Sequence, residues 1–166
     1  MAARKANVLA VAATAAFLTS SCGGGGSAHR LTKSQLIQRG DAICTKYRTK
    51  NQALNEQAPA KNPTDPSATD AQVKASAPVL EQLADNVRGA RSEFSDLTPP
   101  RELESDWDNT LDDLDALATR LDLAANAAKQ LDRQQVVNEF GEILRLNRRV
   151  NQFEVDYGFK VCGKNA

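Results

Sequence analysis

Leu103-Glu104-Ser105-Asp106-Trp107-Asp108-Asn109-Thr110-Leu111-Asp112-Asp113-Leu114-Asp115-Ala116-Leu117 is the stretch that fixes the class of fold. Leu103, Trp107, Thr110, Leu114, Leu117, Leu121, Ala124 and Ala128 recur in steps of three and four, with Leu111, Ala118 and Ala125 widening the face. That seven-residue repeat is one face of an α-helix that packs against other helices. The opposite side carries Glu104, Asp108, Asp112, Asp115 and Asp122. Carboxylates one turn apart repel by a few tenths of a kcal/mol, and no calcium-type loop with a turn glycine occurs. A solvated face is the reading.

The pattern repeats on either side. Upstream, Val73, Leu80, Val87 and Phe94 fall every seven residues, with Leu83, Ala90 and Leu97 as a companion series. This helix is expected to be under way by Ser76, with Asp70 capping an earlier turn and Pro78 in its first full turn or at a kink. Thr98-Pro99-Pro100-Arg101-Glu102 separates the two helices, with Thr98 as a cap and proline in a first turn. Downstream, Leu131-Asp132-Arg133-Gln134-Gln135-Val136 is a start signal, with Asp132 as N-cap, Gln135 three residues on and Leu131 against Val136. The helix it opens presents Val136, Val137, Phe140, Ile143, Leu144, Val150, Phe153 and Tyr157, with Asn147 on the same face. Arg145, Arg148 and Arg149 form a basic cluster suited to surface pairing, to the acidic third helix or to lipid headgroups. Gly158 suits a left-handed cap.

The first helix begins at Leu31-Thr32-Lys33-Ser34-Gln35-Leu36, where Thr32 and Gln35 form a capping box and Leu31 staples onto Leu36. Its stripe is Leu36, Ile37, Gly40, Ile43, Cys44, Tyr47 and Leu54, ending near Gln57. Gly40 on a buried stripe costs roughly 1 kcal/mol against alanine, which implies close approach by another segment. Residues 58–69, with Pro59, Pro63 and Pro66, are expected to form a mobile surface loop. The sum is all-α, an up-down four-helix bundle.

The amino terminus is of another kind. Arg4 and Lys5 precede the apolar run Val8 to Leu18 and the small patch Thr19-Ser20-Ser21, ending in Cys22. This is the layout of a secretory signal peptide, too short for a bilayer span of roughly 20 residues. The patch ending in cysteine resembles the lipobox of bacterial lipoproteins, although the position usually held by leucine is Thr19. The organisation that follows is residues 1–21 as a leader removed on export, 22–30 as acylated Cys22 and a flexible Gly-rich tether, and 31–166 as the bundle. The alternative is plain secretion with Cys22 free or paired. Two acyl chains would hold the chain at a membrane surface without a spanning helix.

With Cys22 acylated, Cys44 and Cys162 remain as a pair in an exported setting, where a disulfide is expected between helix one and the C-terminal tail. The up-down topology brings the tail back to the level of Cys44. Without its leader the chain holds 145 residues, 19 basic against 21 acidic, a balance that invites no nucleic acid. Its single histidine, His29, lies in the tether. This leaves no His-based dimetal, zinc or nucleophile site inside the fold.

Leu31-Thr32-Lys33, Asp41-Ala42-Ile43-Cys44, Leu97-Thr98-Pro99-Pro100 and Tyr157-Gly158-Phe159-Lys160-Val161-Cys162-Gly163 together resemble small, largely uncharacterised envelope lipoproteins of actinobacteria. The resemblance spans nearly the whole mature chain and implies a lipid-anchored helical domain at the outer face of the cytoplasmic membrane, with no activity attached. No enzyme and no cofactor is expected. The preferred reading is a module that works by contact with a protein partner in the envelope. The alternative is a carrier of a lipid, haem or other apolar molecule beside Tyr47, Trp107, Asn147 and Tyr157. A filled core favours the first, and a cavity of several hundred Å³ lined by aromatics favours the second.

Overall fold

The computed structural model describes residues 29–163. Cys22, the leader expected before it and most of the expected tether lie outside the described residues. Four helices, α1 Lys33–Asn55, α2 Asp70–Ser95, α3 Glu104–Gln130 and α4 Arg133–Tyr157, form an up-down bundle, with no strand among the described residues.

Three of the helices, α1, α2 and α4, start where a side chain caps their free amides. Thr32 accepts from the Gln35 amide at 3.3 Å while the Gln35 side chain accepts from the Thr32 amide at 2.9 Å. Leu36 is fully buried, with Leu31 packed on the same cluster. Asp132 accepts from the Gln135 amide at 3.0 Å, as expected. The start of α2 differs from the sequence reading: Thr69, with Gln72 completing a capping box, opens the helix, and Asp70 is its first residue. Pro78 therefore sits well inside α2, where it deprives the Lys74 carbonyl of its helical partner. The start of α3 also differs. Thr98 caps nothing; its carbonyl accepts the Leu31 amide at 2.9 Å, and a 3₁₀ turn over Arg101–Leu103 leads into the helix. Pro99 and Pro100 are buried, so this junction is tied to the start of α1.

Residues 58–69 contain no regular element, as the prolines require, yet they are more than an exposed loop. Asn62 accepts from the Thr64 amide at 2.9 Å and Asp65 from the Ser67 amide at 2.7 Å. Pro63 is buried, and Ala68 joins the core.

The interior divides into two clusters. One, built from α2, α3 and α4 with Ala68 of the preceding segment, contains Val73, Leu80, Leu121, Val136 and Leu146. The other adds α1 and the tail: Leu36, Ile43, Tyr47, Phe94, Trp107, Tyr157 and Phe159. Trp107 meets Phe94 edge-on at 5.7 Å, and Phe153 stacks on Tyr157 at 6.0 Å. The acidic side of α3 is partly paired: Asp115 with Arg91 at 2.8 Å, Asp122 with Arg88, and Asp113 with Arg149 of the basic cluster. Exposed pairs of this kind contribute about 0 to 1 kcal/mol each.

The tail is strapped across α1. Gly158 takes a left-handed conformation, φ 98°, and turns the chain back. Phe159 then packs against Gly40, where an added Cβ would sit 2.3 Å from the ring. This is the close approach that Gly40 implied. The Asp41 carboxylate accepts the amides of Lys160, Val161 and Cys162 at 3.0, 2.8 and 3.3 Å. Arg48 donates to the Val161 carbonyl, and Cys44 and Cys162 form the disulfide, with Cα atoms 5.4 Å apart. Asp41→Ala leaves three amides without their shared acceptor. It should lower stability by about 2 to 3 kcal/mol in denaturant titration, with Asp41→Asn recovering part of the loss through its remaining acceptor oxygen.

Candidate functional site

Backbones of α1 and α2, α2 and α3, and α3 and α4 approach within 8 Å, but those of α1 and α4 do not. One seam of the bundle is thus unclosed. Between α1 and α4 runs an open cleft of about 500 Å³, within the range of ligand sites. Its floor is apolar, with Val87, Ala90 and Phe94 from α2, Leu114 and Leu117 from α3, and Val150 from α4. Its walls are amides: Asn51, Gln52 and Asn55 on α1, Asn147 and Asn151 on α4. One end is shut by Cys44, Arg48, Glu154, Cys162 and Gly163.

The residue types explain why the seam stays open. Between Tyr47 and Leu54, α1 offers no large apolar side chain toward α4, and Asn147, Asn151 and Glu154 of α4 fall within one sector of the helix. Zipping the helices together would bury these amides, at about 1 to 3 kcal/mol for each group left without a partner.

Of the four side chains picked from sequence for ligand contact, the structure brings two to the cleft. Tyr47 lines it, buried at 8 % exposure. Its hydroxyl donates to Glu93 at 2.7 Å, and its ring packs where an added Cβ on Gly89 would stand 3.0 Å from it. Burial and the Glu93 carboxylate push its pKa up to about 12. Asn147 also lines the cleft, but it is exposed at the rim rather than buried in a helix face. Trp107 and Tyr157 do not reach the cleft and are packed in the second cluster, where Trp107 Nε1 and Tyr157 Oη have no hydrogen-bond partner. The void beside Trp107 is only about 10 Å³, so the aromatic layer is filled and encloses no ligand cavity. Asn51, Asn55, Asn151 and Glu154 were not picked out. Their signal was the one-turn spacing of polar residues on both the first and last helices.

Glu154 is the chemically unusual group at the closed end. Burial drives its pKa up to about 7, with the Asp41 charge adding, against the lowering effects of the Gly163 amide and Arg48. It stands 3.9 Å from Cys44 Sγ. Its carboxylate and both sulfurs lie within 4.8 Å of one another, a metal-like grouping. The two sulfurs are bonded to each other, however, and offer no thiolate.

No described helix is long and apolar enough to cross a membrane. No protein-family model, curated protein or solved structure matches the chain. The class defined by fold and site is a disulfide-stapled four-helix bundle with an amide-walled cleft along one open seam.

Proposed function

We propose that the chain is a lipid-anchored, extracytoplasmic binding module, without enzymatic activity, whose docking site is the cleft between α1 and α4. The unclosed seam carries this reading, since a bundle serving only as a rigid spacer gains stability by zipping that seam with apolar residues. Amide walls over an apolar floor suit an occupant that is part hydrogen-bonding and part apolar. The filled aromatic layer and the amides both argue against a lipid or haem carrier. Haem would in addition lack a histidine within the bundle. Cys22 and the glycines after it would hold the module a short distance above the outer face of the cytoplasmic membrane.

Anchoring is tested by intact mass of the protein from its own membranes. Diacylglyceryl mass on a chain beginning at Cys22 is the expected result, and Cys22→Ala should move nearly all of the protein out of the membrane fraction. An unacylated mass, or a Cys22→Ala variant that stays with the membrane, overturns it. The docking site is tested with a photo-crosslinking residue at Gln52 or Asn147, compared with the same residue at exposed Asp108, outside the cleft. A discrete adduct from the two cleft positions alone supports the reading, and equal labelling at Asp108 overturns it. Small-molecule mass that survives native extraction points to the carrier instead.

A further inference from the structure

The amides of the cleft come in pairs one helical turn apart on both walls. Asn51 and Asn55 on α1, and Asn147 and Asn151 on α4, are each separated by four residues, about 6 Å along the axis. An extended polypeptide repeats every two residues, about 6.6 Å, and turns the N–H and C=O groups of alternate residues toward opposite edges. Laid along the cleft, such a chain presents one edge to each wall at nearly the spacing of the amides. A carboxamide carries both a donor and an acceptor and so matches the N–H and C=O of a peptide. The side chains of Asn55, Asn147 and Asn151 make no hydrogen bond to another described residue. Asn51 Oδ1 accepts from Asn86 at 2.9 Å, which leaves its two N–H groups as donors.

Charge narrows the occupant further. The charged or acidic lining groups, Arg48 and Glu154, sit at the closed end, and Arg48 is engaged by the Val161 carbonyl. Along the rest of the cleft the walls are neutral, so a charged chain would lose water and gain no counter-charge. An acyl chain would leave the wall amides without partners. From Cys44 to Asn55 the cleft spans about 16 Å, the length of roughly five extended residues.

We propose that the cleft binds an extended, uncharged peptide segment of about five residues, held through its main chain by Asn51, Asn55, Asn147 and Asn151, with alternate apolar side chains on the floor of Val87, Phe94, Leu114 and Val150. This rests on the cleft being the docking site. A partner protein would offer such a segment as an exposed strand or a loosely structured tail.

The test uses the mature protein extracted from its own membranes and a library of N-acetylated, C-amidated random pentapeptides, read by affinity selection. Selected peptides should alternate apolar and polar residues. The tightest of them should weaken at least tenfold when the backbone nitrogens facing one wall are methylated. Asn147→Ala combined with Asn151→Ala should weaken it by roughly tenfold with an unchanged melting temperature, because these amides make no hydrogen bond to another described residue. The proposal is overturned if no peptide is selected above the level of that double variant, if the N-methylated peptide binds as well, or if a chito-oligosaccharide probe binds the cleft instead. The two levels separate cleanly. Peptides that bind the double variant undiminished defeat the cleft itself, whereas a double variant that loses its crosslinked partner while no peptide is selected defeats only the peptide assignment.

Discussion

Serine at both Cys44 and Cys162 should lower unfolding stability by about 3 to 5 kcal/mol, read as a shifted midpoint in guanidinium titration at constant slope. The bridge joins residues 118 positions apart, and in the chain-entropy account the restriction it places on the unfolded chain grows with that length. Native contacts at the tail need not be lost with it. Phe159 stays packed on Gly40, and Asp41 keeps the three tail amides. The expected double-serine protein is therefore folded, helical and less stable, and dithiothreitol should reproduce its midpoint with the natural sequence. A change below about 1 kcal/mol would show that the bridge constrains little beyond what Asp41 and Phe159 already hold.

Glu154 should give the protein an unusual pH profile. Its carboxyl ionises near the ordinary 4.5 when unfolded, but near 7 in the fold, because burial penalises the charge. Between those values the native state binds more protons than the unfolded state, so stability falls as pH rises. The contribution is absent below about pH 4, where both states are protonated. It is fully developed above about pH 8, at up to about 3 kcal/mol. Glu154→Gln keeps the shape without the charge. It should match the natural protein near pH 4 and exceed it by about 2 to 3 kcal/mol at pH 8, as measured by urea titration across that range. Equal pH profiles for the two proteins would show that Glu154 is ionised in the fold at neutral pH. Asp41 and Arg48 face the same end of the cleft, so the comparison is best made with both left unaltered.

The helices were legible in sequence because their determinants are local. Thr32 with Gln35, Asp132 with Gln135, and Gly158 act within one turn of the ends they define. The seven-residue seam of α2 and α3 is visible in any window of two or three turns. Where the reading failed, a second local signal competed. Pro78 marks a helix start nine residues beyond the true cap at Thr69 and Gln72, and Thr98 before two prolines has the chemistry of a cap while its carbonyl is committed to Leu31.

Four helices, their phases and, with Cys22 read as acylated, the pairing of Cys44 with Cys162 could be read from the residues alone. Tertiary structure alone decided that Asp41 holds the tail, that Trp107 and Tyr157 fill a core while Asn147 rims a cleft, and that the seam between α1 and α4 stays open. The tail and the seam depend on residues about a hundred positions apart meeting across the bundle, and Trp107 depends on Phe94 and Phe153 from two other helices. Helical periodicity states which way a residue points on its own helix, but the distance between two helices is set by what both present to each other. Here both present amides, and amides without partners keep their water.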